Sequence, residues 1–229
     1  MLGAMKQTYH EITLGDSRSL PIDAQSVSLV VTSPPYPMIE MWDDTFASLN
    51  ASIRTRLAQG DSYGAFELMH QELDSVWKEV QRIVVPGGMV CINVGDATRS
   101  LGGRFRKYPN AERITGTFRG LGFDVFPRII WRKTTNAPTK FMGSGMLPAG
   151  AYVTLEHEYI LLFRQGGSRD FTAPDLRRDR HESAFFWEER NQWFSDVWVG
   201  LNGTAQQSAR TPQRRSGAYP LSSWVVVAS

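Results

Sequence analysis

Between Tyr63 and Val84 the apolar residues Phe66, Met69, Leu73, Val76, Trp77, Val80, Ile83 and Val84 recur at three- and four-residue steps. That spacing predicts an amphipathic helix with one core face. Val27 to Thr32 is nearly all apolar and β-branched, which predicts a strand covered on both faces. Met89 to Val94 reads as the next buried strand, with Pro86-Gly87-Gly88 stopping the helix before it. Ala111 to Leu121 reads as a further helix closed by Gly122, and Phe123 to Lys133 and Tyr152 to Phe163 as two long strands. Upstream, Tyr9 to Leu14 predicts a short strand that runs into the polar turn Gly15-Asp16-Ser17. Strands alternating with helices imply an α/β sheet, and the final long pair implies an antiparallel hairpin at one edge.

The patterning weakens elsewhere. Thr134 to Gly150, rich in Pro, Gly and Lys, is expected to be a surface loop, and Arg169 to Arg180 a polar, exposed linker. Phe185-Phe186-Trp187 and Trp193 to Trp198 are expected to be anchored by burial of their rings. There is no internal repeat. At 229 residues, 41% of them hydrophobic, the chain suffices for one core, and a single domain is expected.

Charge and cysteine usage narrow the picture only a little. The net charge of +2 is weak support for a nucleic-acid partner, although Arg164, Arg169, Arg177, Arg178, Arg180, Arg190, Arg210, Arg214 and Arg215 crowd the last third. The single cysteine excludes an internal disulfide framework and a Cys-cluster metal site, which fits a reducing, cytoplasmic setting. No apolar run reaches the roughly 20 residues that span a bilayer, and no secretory leader is evident, so a soluble protein is expected.

The segment richest in chemistry is Ser33-Pro34-Pro35-Tyr36, at the end of the strand Val27 to Thr32. Two consecutive prolines cannot extend a central strand, so the chain leaves the sheet there as a rigid loop, where open α/β sheets bind ligands. An amine conjugated with a base ring is a poor nucleophile because its lone pair is delocalised. A site that methylates it must accept hydrogen bonds from the amino hydrogens and hold the nitrogen in line with the methyl donor. Ser33 Oγ and the Pro34 carbonyl are candidate acceptors, and Tyr36 could stack on a base swung out of the duplex. Taken alone, the tetrapeptide is equally readable as an ordinary rigid turn.

The order strand, Ser-Pro-Pro-Tyr, helix, Val85-Pro86-Gly87-Gly88, strand resembles the Asp/Asn/Ser-Pro-Pro-Tyr family of amino DNA methyltransferases. Further segments share in the likeness: Gly15-Asp16, Trp131-Arg132-Lys133, Glu156 to Phe163, Arg190 to Trp198, and Arg214-Arg215-Ser216-Gly217-Ala218-Tyr219-Pro220. The resemblance covers roughly residues 10 to 221. It implies a three-layer, Rossmann-like S-adenosylmethionine-dependent methyltransferase sheet with an antiparallel edge hairpin, formed by residues 1–229, with 134–150 and 164–210 as loop or DNA-facing insertions. It implies catalysis by Ser33, Pro34, Pro35 and Tyr36, and methyl transfer from S-adenosyl-L-methionine to N4 of cytosine in double-stranded DNA, with N6 of adenine as the alternative. Cofactor contacts would come from Asp16, Ser17, Arg215, Ser216, Tyr219 and Pro220. Arg132, Lys133 and Lys140 would face DNA, and a restriction endonuclease system would be the companion.

Other chemistries fit less well. Cys91 lies inside an apolar strand, unlike the exposed nucleophile that C5-cytosine methylation needs. His157 sits between Glu156 and Glu158, but strand alternation turns both glutamates to the opposite face, so His157 reads as structural rather than as a metal ligand or base. Gly102-Gly103 and Gly143-Ser144-Gly145 read as loop glycines, not as a dinucleotide fingerprint. The sequence departs from the family at its end: Leu221 to Ser229 stands where members carry a strand and an Asp-Pro-Phe-x-Gly-x-Gly loop. The sheet is therefore expected to be incomplete, with 222–229 an atypical tail, and a second chain completing the cofactor site or a non-catalytic DNA-binding remnant is an alternative. Trp224 to Val227 has the composition of a strand that could stand in beside Val27 to Val31, but a loose terminus is the expected outcome.

Overall fold

A computed structural model describes residues 9–133, 153–199 and 201, and the backbone of 225–228. The first strand, β1 (Val27–Thr32), leads through a single 3₁₀ turn (Glu40–Trp42) into α1 (Asp43–Leu49) and α2 (Ala51–Ala58), both unanticipated. The long helix α3 (Ser62–Ile83) follows, within a residue of its expected bounds. Asp61 caps it by accepting the Gly64 amide at 3.0 Å, and its ten buried residues fall on one face.

The next strand, β2 (Val84–Val94), begins five residues earlier than expected. Pro86-Gly87-Gly88 does not separate helix from sheet. Val27 pairs with Val84 and Leu29 already with Met89, so the three residues are absorbed as a bulge. Gly87 permits it: its φ is +77°, and a Cβ there would collide with the Arg169 side chain. Next come the hairpin β3 (Ala97–Leu101) and β4 (Arg104–Tyr108), whose two-residue turn uses Gly102 and Gly103 at positive φ, and then α4 (Asn110–Gly120).

Instead of one long strand after α4 there are two, β5 (Phe123–Val125) and β6 (Ile129–Arg132). Pro127 interrupts them, since it has no amide to donate to a ladder. Their partner β7 (His157–Gln165) is shorter than expected at its start and longer at its end. Two short helices, α5 (Pro174–Glu182) and α6 (Trp187–Trp193), lead to β8 (Val197–Trp198) and finally to β9 (Val225–Ala228). The sheet order is β8-β6-β7-β2-β1-β9, with β5 also pairing β7. β1 and β2 are parallel, and β7 runs antiparallel to β2, β5 and β6, so the expected hairpin β6–β7 is present with β8 on its outer side.

Helices α3 and α4 cover one face through Trp77, Ile83, Ile114 and Phe118, which are buried against Val90, Ile92 and Phe163. Phe118 stacks on Phe163 with centroids 4.2 Å apart and interplanar angle 10°.

Four further expectations fail. Residues 9–14 form no strand, and Tyr9, Ile12 and Leu14 stand almost fully exposed, because no described strand offers them a ladder. Arg169 to Arg180 is exposed as expected but contains α5, started by Pro174 at its first turn. Phe185, Phe186, Trp187, Trp193 and Phe194 are more than half exposed, with Phe185 packed on Trp193 and Phe194 rather than on the sheet. The tail does not end loose: Val225–Ala228 pairs antiparallel with Thr32 to Leu29, satisfying the open ladder of β1. The expected loop 134–150, with Lys140, lies outside the described residues, as do Arg215, Ser216, Tyr219 and Pro220.

Candidate active site at the carboxyl ends of β1 and β2

Ser33-Pro34-Pro35-Tyr36 leaves the sheet at the carboxyl end of β1, beside the end of β2. Pro34 and Pro35 are buried, Ser33 is exposed and Tyr36 half-buried, so the rigid part of the loop is sealed while the hydroxyl faces outward. Two further features hold it. Met38 is buried with φ +66°, a left-handed conformation that costs a non-glycine residue about 1–2 kcal/mol, and its amide meets Met69 Sδ at 3.4 Å. Strain of this kind persists only where packing over-determines it.

The second feature is a buried polar bracket. Asn110, at the start of α4, donates through Nδ2 to the Pro37 carbonyl at 3.1 Å and to the Gly95 carbonyl at 3.0 Å. Its Oδ1 accepts from His70 Nε2 of α3 at 3.0 Å. Both side chains are fully buried. Burial, reinforced by the nearby Arg113 charge, pushes the His70 imidazole down to about 3, so it is neutral. Asp96, one residue beyond Gly95, ties the same corner together: Oδ1 accepts the Ala111 amide at 3.1 Å and Oδ2 meets Lys107 Nζ at 2.8 Å. The loop from β1 is thus pinned to the loop from β2.

Around the tetrapeptide lies a continuous hydrogen-bond network. Tyr36 OH is 3.1 Å from Ser33 Oγ, 2.9 Å from Asn93 Nδ2 and 3.2 Å from Glu158 Oε2. Asn93 Nδ2 also donates to Glu158 Oε2 at 2.8 Å, and Lys133 Nζ sits 2.6 Å from Glu158 Oε1. The register explains the meeting. Asn93 of β2 faces Ile160 of β7, which places Glu158 opposite Gly95, where a Cβ would lie 3.3 Å from both Glu158 Cγ and Tyr36 Cε2. Glycine at 95 therefore lets the two side chains close over the strand end.

The sequence draws attention to His157, and alternation places it correctly away from the site. His157 packs edge-on against Tyr159 at 4.8 Å, on the other face from Glu158. The residue that reaches the tetrapeptide is the glutamate beside it, and sequence reasoning singled out neither Glu158 for this place nor Asn93. The signal available was a polar residue at each of two adjacent strand ends, Asn93 after the apolar run of β2 and Glu158 before the apolar run Tyr159 to Phe163.

Of the remaining expected site residues, Lys133 joins this network through Glu158 and lies over the Trp131 ring at 4.1 Å. Arg132 points to solvent beside Glu156 at 3.3 Å. Asp16 is engaged by Arg18, whose guanidinium and amide hold the Asp16 carboxyl below its ordinary value, and Ser17 adjoins it on an exposed turn. Two buried oxygens near the strand ends, Thr32 Oγ1 and Asn93 Oδ1, have no hydrogen-bond partner. The described depressions in the surface lie elsewhere, one lined by Arg169, Phe171, Arg177, Arg180 and His181, the other by Phe66, Glu67, Glu112 and Arg113. Cys91 is half-buried within β2, and burial raises its thiol, the reverse of what an activated nucleophile needs.

Comparison with known proteins extends these observations. The type II methyltransferase M.MthZI of Methanothermobacter thermautotrophicus is 52% identical over 218 residues, which are 94% of this chain and 61% of that protein. M.MjaI of Methanocaldococcus jannaschii is 45% identical over 225 residues, 93% of this chain and 73% of that protein. This chain therefore spans about three fifths of the length of the first relative and about three quarters of the second. Among solved structures, the DNA modification methylase TTHA0409 of Thermus thermophilus, complexed with S-adenosyl-L-methionine, is 32% identical. It superimposes with a TM-score of 0.60 over 82% of this chain and 67% of that one. The model of the N6/N4-type DNA methylase family matches residues 27–222, with the tetrapeptide, Asn93 and Glu158 inside the match, and the chain belongs to that family.

Proposed function

We propose that this chain carries the catalytic motif of an S-adenosylmethionine-dependent DNA methyltransferase acting on an exocyclic base amine, N4 of cytosine. The observation that carries the reading is the placement of an exposed Ser33 Oγ on a proline-stiffened, bracketed loop at the carboxyl edge of a parallel strand pair, in a chain of the DNA methylase family. The cofactor supplies an electrophilic methyl group on a sulfonium. The chain's residues do the rest: Ser33 Oγ and the Pro34 carbonyl accept the amino hydrogens, drawing the nitrogen lone pair out of conjugation, and the Tyr36 ring supports the displaced base. Pro34 and Pro35 keep the acceptors from relaxing away.

The described residues carry groups that fit such a cofactor. Orphaned acceptors at Thr32 Oγ1 and Asn93 Oδ1 and the carboxylate of Asp16 suit a ligand rich in hydroxyl and amino donors. Asp16, Ser17, Arg215, Ser216, Tyr219 and Pro220 remain the proposed cofactor contacts, and a second chain that completes this side belongs to the same reading. Serine at the first position of the tetrapeptide favours cytosine N4 over adenine N6, and a companion restriction endonuclease is the expected partner.

Incubation with duplex DNA and methyl-labelled S-adenosylmethionine, followed by nuclease digestion, tests the reaction. N4-methylcytosine is the expected product, N6-methyladenine would reassign the base, and 5-methylcytosine would refute the mechanism. For the duplex we propose contact through Arg132 and Lys133 at the same end of the sheet, and through Lys140 in the segment that follows them in sequence. Arg132→Gln should weaken binding across sequences and lower the salt slope by about one. An unchanged slope would place the DNA backbone elsewhere.

A further inference from the structure

We infer that Glu158 is a positioning residue that sets the direction of the hydrogen bonds running through Tyr36 to Ser33, and so makes Ser33 an acceptor rather than a donor. The inference rests on the reading of Ser33 as the group that receives the amino hydrogens of the target base.

The argument is a count of donors and acceptors. As a carboxylate, Glu158 can only accept, and a phenol has one proton to give. Glu158 Oε2 receives Asn93 Nδ2 at 2.8 Å and stands 3.2 Å from Tyr36 OH. Asn93 cannot be turned the other way, because its Oδ1 would then face the carboxylate. Its Nδ2 therefore donates to Tyr36 OH as well, at 2.9 Å. The phenol oxygen is already accepting from Asn93, and its proton points to the carboxylate. Since the phenol has no second proton, the contact of Ser33 Oγ with Tyr36 OH at 3.1 Å runs from serine to tyrosine. With its proton committed inward, Ser33 presents only lone pairs to the exposed side of the loop. A base amine, which brings hydrogens, is matched there; a carbonyl oxygen at the same position, which brings lone pairs, is not.

Lys133 secures the arrangement from the far side, with Nζ 2.6 Å from Glu158 Oε1. This contact is also what makes Glu158→Gln informative once Asn93 is removed. The ammonium requires an oxygen, so the glutamine amide must place its carbonyl toward Lys133 and its NH2 toward Tyr36. Asn93, left in place, would turn its Oδ1 to that NH2 and take the Tyr36 proton, so the change is made together with Asn93→Ala. The line then reverses: Tyr36 receives the amide hydrogen, its own proton turns to Ser33, and the serine proton turns outward. The line from Tyr36 to Ser33 is retained while its polarity is inverted.

The reversal is read by equilibrium binding, without any methyl transfer. Short single-stranded oligodeoxycytidine and oligodeoxyuridine differ at the base by an amine against a carbonyl, and oligodeoxyadenosine and oligodeoxyinosine repeat the exchange on a purine. The full chain should prefer each amine oligomer by about three- to tenfold, the worth of about one hydrogen bond. Ser33→Ala and the double variant Asn93→Ala/Glu158→Gln should each abolish the preference and Asn93→Ala alone should keep it, with thermal unfolding confirming that the variants fold. Tyr36→Phe, which interrupts the line but leaves the Glu158–Lys133 pair, is the further variant should the double variant fail to fold, and it should also abolish it. A preference lost in Asn93→Ala alone, or lost in Ser33→Ala but kept in the double variant or in Tyr36→Phe, would overturn the inference and leave Ser33 as the acceptor. No preference in the unaltered chain, or one indifferent to Ser33→Ala, would overturn both.

Discussion

Two aromatic-rich regions of this molecule behave in opposite ways. In the first, Trp77, Phe118 and Phe163 come from α3, α4 and β7 and are at most 1% exposed. In the second, residues 185–194, Phe186 and Trp187 are 74% and 68% exposed, and the rings of Phe185, Trp193 and Phe194 touch one another at 5.3 to 6.0 Å. Composition does not distinguish them. Periodicity does: the α3 positions recur along one helical face opposite a strand, whereas α6 has seven residues and no described sheet face to meet. An aromatic residue is buried when its element presents it to another element, not because it is aromatic.

The sharpest way to break this contrast is to truncate on both sides of it. Trp77→Ala or Phe118→Ala should lower stability by about 3–5 kcal/mol, as expected for large buried rings. Denaturant unfolding followed by circular dichroism gives the number, and a cost below about 1 kcal/mol would contradict the packing described.

Asn110→Ala should come next, at about 3 kcal/mol, because it leaves the Pro37 and Gly95 carbonyls and the His70 ring without their shared partner. Its further signature is loss of methyl transfer in excess of the loss of fold, since the bracket aligns the tetrapeptide. Activity that simply tracks the folded fraction would reduce the bracket to a structural role.

Per unit of pH, a smaller effect is expected from His70. His70 is held neutral by burial down to about 3, whereas in the unfolded chain it titrates near its ordinary 6.5. The unfolded state therefore binds the extra proton first, and stability falls as pH drops from 6.5 toward 3, by about 1.4 kcal/mol per pH unit from this group. Unfolding free energies measured across that range in the unaltered chain and in His70→Gln should differ in slope; parallel curves would show that another group carries the dependence.

The smallest effect closes the comparison. Trp187→Ser and Trp193→Ser should change stability by no more than about 0.5 kcal/mol. A larger loss in either would mean that the second region is covered in solution by something beyond the described residues.

Legibility in the sequence followed the same division. The helix α3 and the strand β1 are nearly where their spacing puts them, because burying one face against a sheet imposes a period that survives in the sequence. The tetrapeptide was equally legible, since two prolines after a buried strand leave the backbone few alternatives. The Pro86-Gly87-Gly88 bulge was not, because the same residues serve to end a helix or to widen a strand, and only pairing with β1 decides between them. Nor was the exposure of residues 185–194, where burial depends on what lies opposite.

By itself the sequence determined the α/β class, the tetrapeptide at a strand end and membership in a family, because these rest on local spacing and on an ordered set of motifs. Only the tertiary structure decided that Glu158, 122 positions after Tyr36, meets it. It also decided that Asn93 orients both, that Asn110 brackets Pro37 to Gly95, and that Val225–Ala228 covers the edge of β1. Strand order and register create these contacts between residues far apart in the chain. No local pattern records a pairing whose partners are free to vary in separation, so the polar surroundings of Ser33 belong to the fold rather than to its motif.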